Sequence, residues 1–225
     1  MEIGVIAGPD PQSMNLVFDL GAVLIEWQPA RLVASHFPEL ALTAQAAQQA
    51  AQSIFGHADW HAFDRGTLSA DDVVQRTAQR LALPPDEMRR LVCGIGERLT
   101  PIQETMDLVA DLAQRRDQRG DVRLYYLSNM PAPYARTLEH KYAFLAWFEG
   151  GIFSGDVQRS KPDPVIYQLL QSRYALEPTQ TLFVDDVQDN VDVACSLGWS
   201  GLRFVSAQQL RSSLANWLPQ LQGDL

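Results

Sequence analysis

Apolar runs that each stop at a polar residue constrain this chain more than any other feature. Leu16-Val17-Phe18 ends at Asp19, Leu124–Leu127 at Ser128-Asn129, and Thr181–Val184 at Asp185-Asp186. A fourth run, Leu202–Val205, has the same character. Short runs without polar alternation fit strands buried on both faces, as in a parallel sheet. Helix-like stretches separate them. Thr100-Pro101-Ile102-Gln103 reads as a capping box opening a helix to about Gln118, and Asp163–Tyr174, Gln188–Leu197 and Ser206–Leu218 also read as helices. Strands alternating with helices predict an α/β fold with a doubly wound, Rossmann-like parallel sheet.

Residues 30–99 interrupt the alternation. They hold no convincing strand, only helical segments punctuated by Pro38, Gly66 and Pro84-Pro85, one of them opened by Ser69-Ala70-Asp71-Asp72 as a capping box. An all-helical block inserted after the first strand belongs above the carboxyl ends of the sheet, where open α/β sheets bind ligands. The expected organisation is a core of residues 1–29 and 100–225 with a helical cap at 30–99. Gly8-Pro9-Asp10-Pro11 marks the first fourteen residues as a loose leader.

The formal net charge of −9, with no basic stripe, argues against nucleic acid as a partner. No stretch approaches the roughly 18 apolar residues of a membrane helix. The start Met1-Glu2-Ile3-Gly4-Val5 lacks the pattern of a secretory signal. Cys93 and Cys195 are isolated, which suits reduced thiols and disfavours zinc. The expected location is the cytoplasm. Whether the chain is a monomer or a homodimer stays open.

The polar residues that end the runs would converge on one rim of the sheet. Ser160-Lys161-Pro162-Asp163 adds a cation ahead of a helix. A nucleophilic carboxylate, a hydroxyl, a fixed ammonium and a second carboxylate pair are the parts of Mg²⁺-assisted phosphoryl transfer. Each has a plainer reading alone: a lone Asp after a strand is often a turn residue, and Asp185-Asp186 could cap the next helix. Their co-occurrence is what carries the chemistry. Lysine usage adds weight, because only two of the 18 cationic residues are lysines, and one of them, Lys161, lies in this motif. Lys141 has no such setting.

These four segments, in this order and spacing, resemble the haloacid dehalogenase (HAD) superfamily, most of whose members are phosphatases. The run Phe18-Asp19-Leu20-Gly21-Ala22-Val23, the cap segment Phe63-Asp64-Arg65-Gly66-Thr67-Leu68-Ser69 and Phe183-Val184-Asp185-Asp186 with Asp189-Asn190 are similar to its bacterial α-glucose-1-phosphate phosphatase branch. The resemblance implies a hydrolase with Asp19 as nucleophile, forming an aspartyl phosphate. It implies Mg²⁺ held by Asp19, the Gly21 carbonyl and Asp186, with Asp185 binding through water or orienting the ligands. Ser128 and Asn129 would bond the phosphoryl oxygens, and Lys161 would neutralise nucleophile and phosphoryl group together.

One residue departs from the pattern. Most phosphatases of the superfamily have a second Asp two residues after the nucleophile, acting as general acid and base; here it is Gly21. A cap residue, Glu26, a metal-held water or the leaving group itself must then serve, and turnover should be slow. Dehalogenases usually have an aromatic residue there. Phosphonate-cleaving relatives need a cap lysine, and residues 30–99 contain none.

The cap should select the substrate, through His57, Trp60, His61 and Arg65. His57 and His61 lie four apart but lack the glutamate of a zinc protease motif. Trp60 and Phe63 suit cap packing better than sugar stacking. The expected activity is hydrolysis of a small phosphorylated metabolite, with a sugar phosphate as candidate. The alternatives are a 2-haloacid dehalogenase and a catalytically degenerate phosphate-binding protein.

Overall fold

A computed structural model describes residues 13–217. Residues 1–12 of the expected fourteen-residue leader, and Leu218, lie outside the described residues; Met14, expected in that leader, instead opens the first strand. Five parallel strands form one sheet in the order β3-β2-β1-β4-β5: β1 Met14–Phe18, β2 Val122–Ser128, β3 Gly150–Phe153, β4 Thr181–Asp185 and β5 Ser200–Arg203. The expected doubly wound α/β core is the fold observed. Alternation along each strand sorts side chains to two faces. Leu16, Phe18, Leu124, Leu182 and Val184 enter one apolar core, and Val17, Tyr125, Leu127 and Phe183 the other.

Five α-helices follow β1 over residues 29–98: α1 Pro29–His36, α2 Ala44–Phe55, α3 Ala58–Asp64, α4 Ala70–Leu81 and α5 Pro85–Arg98. The Ser69 box forms: its hydroxyl accepts the Asp72 N–H at 3.1 Å and donates to the Asp72 carboxylate at 2.6 Å. The core helices are α6 Gln103–Arg119, α7 Ala132–Lys141, α8 Ser154–Val157, α9 Pro164–Tyr174, α10 Gln188–Ser196 and α11 Ala207–Trp217. The Thr100 box does not form. The Thr100 hydroxyl donates to Glu26 at 3.2 Å, Pro101 bridges to Ile25, and α6 starts behind an uncapped Ile102.

Two strands differ from expectation. β3 has only two apolar residues, and its glycines are demanded by aromatic rings: a Cβ at Gly151 would sit 2.3 Å from the Tyr126 ring. β5 lies two residues earlier than the run Leu202–Val205. It takes its register from β4, with Leu182 opposite Ser200 and Val184 opposite Leu202, and this leaves Val205 74% exposed.

The helical insert is packed onto the core through aromatic rings. Tyr134 of α7 meets Phe63 edge-on at 5.5 Å and lies 6.5 Å from Trp60, and its hydroxyl donates to the Val92 carbonyl at 2.6 Å. Trp60 also packs on Trp27 and Phe55. No helix among the described residues is long and apolar enough to cross a membrane.

Candidate active site

The strand order, not the strand direction, switches at β1: the chain builds outward to β2 and β3 on one side and to β4 and β5 on the other. Ligands of open α/β sheets bind outside the carboxyl ends of strands at such a point. Asp19 follows β1, Ser128 ends β2, and Asp185 ends β4. Asp19, Gly21, Ser128, Asn129, Lys161 and Asp186 line one cavity of about 290 Å³.

Lys161 organises the floor. Its Nζ lies 2.9 Å from Asp19 Oδ1 and 2.6 Å from Asp185 Oδ2, and its side chain is almost wholly buried. Burial works against the ammonium, but Asp185 and Asp19 outweigh it, and the net shift is upward. Asn129 fixes the lysine's backbone: its amide donates to the Lys161 carbonyl at 2.9 Å and accepts the Lys161 N–H at 2.8 Å. Asn129 therefore positions Lys161 as well as lining the cavity, a role the sequence reading did not assign. Ser128 is buried, and among the described residues no side-chain partner takes its hydroxyl.

The two adjacent aspartates are not equivalent. Asp185 is fully buried and accepts from Lys161, from the Val187 N–H at 2.8 Å and from Asn190 at 3.0 and 3.1 Å. Asp186 faces the cavity instead. One carboxylate oxygen from each of Asp19, Asp185 and Asp186 can be chosen so that all three lie within 4.8 Å of one another. Burial pushes the Asp19 carboxyl up to about 7; Lys161 opposes this, and Asp185 and Asp186 add to it. Burial, then Asp185, raises Asp186 as well. One ammonium does not balance three carboxylates. An all-oxygen donor set with surplus negative charge fits a hard divalent cation such as Mg²⁺. Both protein contacts to the Asp19 side chain, from Lys161 and from the Leu20 N–H at 2.7 Å, fall on Oδ1. Oδ2 is the oxygen left for a ligand.

The insert contributes the opposite wall. Trp60 and His61 line the cavity, together with Phe55, Ile95 and Asp64. Trp60 is 4% exposed and belongs to the seam between insert and core. His57 and Arg65 do not line it. The His57 ring caps α3, accepting the Asp59 N–H at 3.1 Å, and Arg65 follows as the last turn unwinds. Glu26 is exposed, bonded to Thr100, and lines a separate recess beside Arg31 and Arg98. The sequence reading quoted Asp64 and Asn190 in motifs but gave neither a role; their neighbours come from distant segments.

No family model matches the chain. It is 25% identical over 191 residues to a sesquiterpene phosphatase of Aspergillus oryzae, covering 85% of this chain and 89% of that protein. A HAD-family enzyme from Bacteroides thetaiotaomicron, solved with magnesium and inorganic phosphate, superposes with a TM-score of 0.66 at 19% identity, covering 88% of this chain and 98% of the other. The chain shares the fold of haloacid dehalogenase (HAD) family enzymes. Phosphatase and dehalogenase are both represented among the relatives: the L-2-haloacid dehalogenase of Xanthobacter autotrophicus superposes on this chain with a TM-score of 0.61 at 18% identity, over 92% of this chain and 84% of its own. What separates the two chemistries must therefore come from the site.

Proposed function

We propose that this chain is a Mg²⁺-dependent phosphatase acting on a small phosphate monoester through an aspartyl phosphate on Asp19, with residues 30–99 serving as its cap. The observation that carries this reading is the Lys161 ammonium set between Asp19 and Asp185, with Asp186 beside them on the cavity wall. Three clustered carboxylates suit a cation-assisted reaction of a phosphate dianion. Displacement of halide by a carboxylate needs no such cation site.

Asp19, Asp186 and the Gly21 carbonyl would hold the Mg²⁺, with Asp185 orienting them through Lys161 and Asn190. When bound, the ion would neutralise the phosphoryl oxygens. Asp19 attacks phosphorus in line, and the bond to the leaving oxygen breaks. Lys161 offsets the charge that Asp19 and the phosphoryl group share. Ser128 donates to a phosphoryl oxygen. Water then attacks phosphorus, releasing phosphate and restoring the Asp19 carboxylate.

The cavity wall bears on the substrate. Trp27, Phe55, Trp60, Ile95, Leu99 and Tyr134 give it an apolar surface, and the insert adds only His61 and Asp64 as polar groups. A sugar's hydroxyls would find few partners there. An apolar alcohol's phosphate fits better, and the similarity to a sesquiterpene phosphatase supports this choice.

The test is phosphate release from apolar alkyl, aryl and sugar phosphates with Mg²⁺ or EDTA, for wild type and Asp19→Asn. Metal-dependent release, strongest with apolar esters and abolished in the variant, is expected. Halide release from a haloacid with no phosphate from any ester would overturn the reading.

A further inference from the structure

Position 21 offers no carboxyl to protonate a leaving group, yet a second acidic side chain faces the same cavity from the insert. Asp64 is the last residue of α3 and lines the cavity with Asp19, Ser128 and Lys161. Three features fix it there. The buried Ser154 hydroxyl donates to the Asp64 carbonyl, and the same oxygen accepts the Met130 N–H at 2.8 Å, so Asp64 is tied to the loop that follows Ser128. Gly66, two residues on, has φ of +71°, and a Cβ there would stand 2.6 Å from the Gly155 carbonyl oxygen. Backbone of the insert thus touches backbone of the core, which only glycine permits. Phe63, just before Asp64, packs edge-on against Tyr134.

The Asp64 carboxyl itself is uncommitted: no hydrogen bond or ion pair among the described residues reaches it. It meets solvent through the cavity but is surrounded by protein, and this desolvation pushes its pKa up to about 8, with Arg65 opposing. Near neutral pH it therefore holds a proton. Glu26, the other acid near the nucleophile loop, lies in the separate recess.

We propose that Asp64 is the general acid and base of this site, supplied by the insert in place of a carboxyl at position 21. The proposal rests on the phosphatase reading above. In the first step the bond from Asp19 to phosphorus forms as the bond to the leaving oxygen breaks, and the Asp64 carboxyl gives its proton to that oxygen. In the second, the Asp64 carboxylate takes a proton from the attacking water while the Asp19–phosphorus bond breaks. Phosphate leaves, and both aspartates regain their starting states.

Pre-steady-state assays with Mg²⁺ and excess substrate on wild type, Asp64→Asn and Asp64→Glu test this, using para-nitrophenyl phosphate and phenethyl phosphate. The first ester releases a stable phenolate that needs no proton; the second releases an alkoxide that does. For Asp64→Asn, the para-nitrophenyl ester should give a burst of about one phenolate per chain, within about ten-fold of the wild-type rate, followed by a stall as the aspartyl phosphate persists. The phenethyl ester should be cleaved about 10²–10⁴-fold more slowly than by wild type. Asp64→Glu should recover part of that loss. The burst amplitude counts folded sites, so misfolding cannot imitate the pattern. Equal loss on both esters with Asp64→Glu no better than Asp64→Asn, or no loss on either, overturns the role of Asp64 and leaves the phosphatase reading standing. A wild type that releases phosphate from neither ester overturns both.

Discussion

The Lys161 ammonium approaches Asp19 Oδ1 to 2.9 Å in a pocket where the lysine side chain has almost no contact with solvent. A buried pair of this kind is costly to break, because the partner left behind is an uncompensated charge. Here two carboxylates, Asp19 and Asp185, would lose their cation at once. Lys161→Met should therefore abolish phosphate release and lower unfolding stability by about 3–5 kcal/mol. Lys161→Arg should fail to restore activity, because a planar fork cannot occupy a site shaped for a point charge. Denaturant unfolding and phosphate assays of the two variants check both statements; an active arginine variant would contradict the geometry.

Asp185 and Asp186 should separate by readout. Asp185→Asn removes the charge that faces the buried Lys161 and turns one of the two accepting oxygens into a donor, so it should destabilise the metal-free protein markedly. Asp186→Asn leaves those bonds intact and should weaken Mg²⁺ binding by about ten-fold or more through the lost carboxylate, at about 1.4 kcal/mol per factor of ten. Calorimetric Mg²⁺ titrations and melting curves of both variants test the division of labour. Matching profiles would refute it.

Glycine is not required sterically at position 21. A Cβ there would meet nothing nearer than the Trp27 Cβ at 4.0 Å, and the backbone is not left-handed. Gly21→Asp should fold, and in an Asp64→Asn background it should restore alkyl phosphate turnover by about ten-fold or more, because the new carboxyl replaces the lost acid. A double variant as slow as Asp64→Asn alone would contradict an acid–base origin of that defect.

The raised pKa of Asp64 predicts a pH-dependent stability. Its carboxyl ionises near 3.8 when unfolded and near 8 when folded. Between those values the folded chain binds the extra proton, so this contribution is full below about pH 4 and is lost as pH rises toward 8. Arg65 beside it opposes the shift, while His61 and Tyr134 share its surroundings. Asp64→Asn should gain stability relative to wild type between pH 5 and pH 8 in EDTA. A difference that stays flat across that range would remove desolvation as the cause.

The parts of the sequence read correctly are those with local causes. Apolar runs at β1, β2 and β4 are buried on both faces, so their composition announces them, and the Ser69 box needs only residues three apart. β3 escaped notice because Gly150 and Gly151 answer to the rings of Tyr174 and Tyr126, remote in sequence. The Thr100 box failed because Glu26 captured its hydroxyl from 74 residues away.

The same boundary runs through the site. The sequence by itself determined which residues end the strands, Asp19, Ser128 and Asp185, because a parallel sheet sends the ends of its buried strands to one rim. It also supplied Lys161 and Asp186 through motif order. Only the tertiary structure decided that Asp185 is spent on Lys161 and Asn190 while Asp186 faces the cavity, that Asn129 holds the lysine backbone, and that His57 and Arg65 do not line the cavity. It alone brought Asp64 to the nucleophile's cavity, through Ser154 and the Gly66–Gly155 contact. Hydrogen bonds and desolvation depend on which distant segments meet, and a one-dimensional pattern carries no record of that.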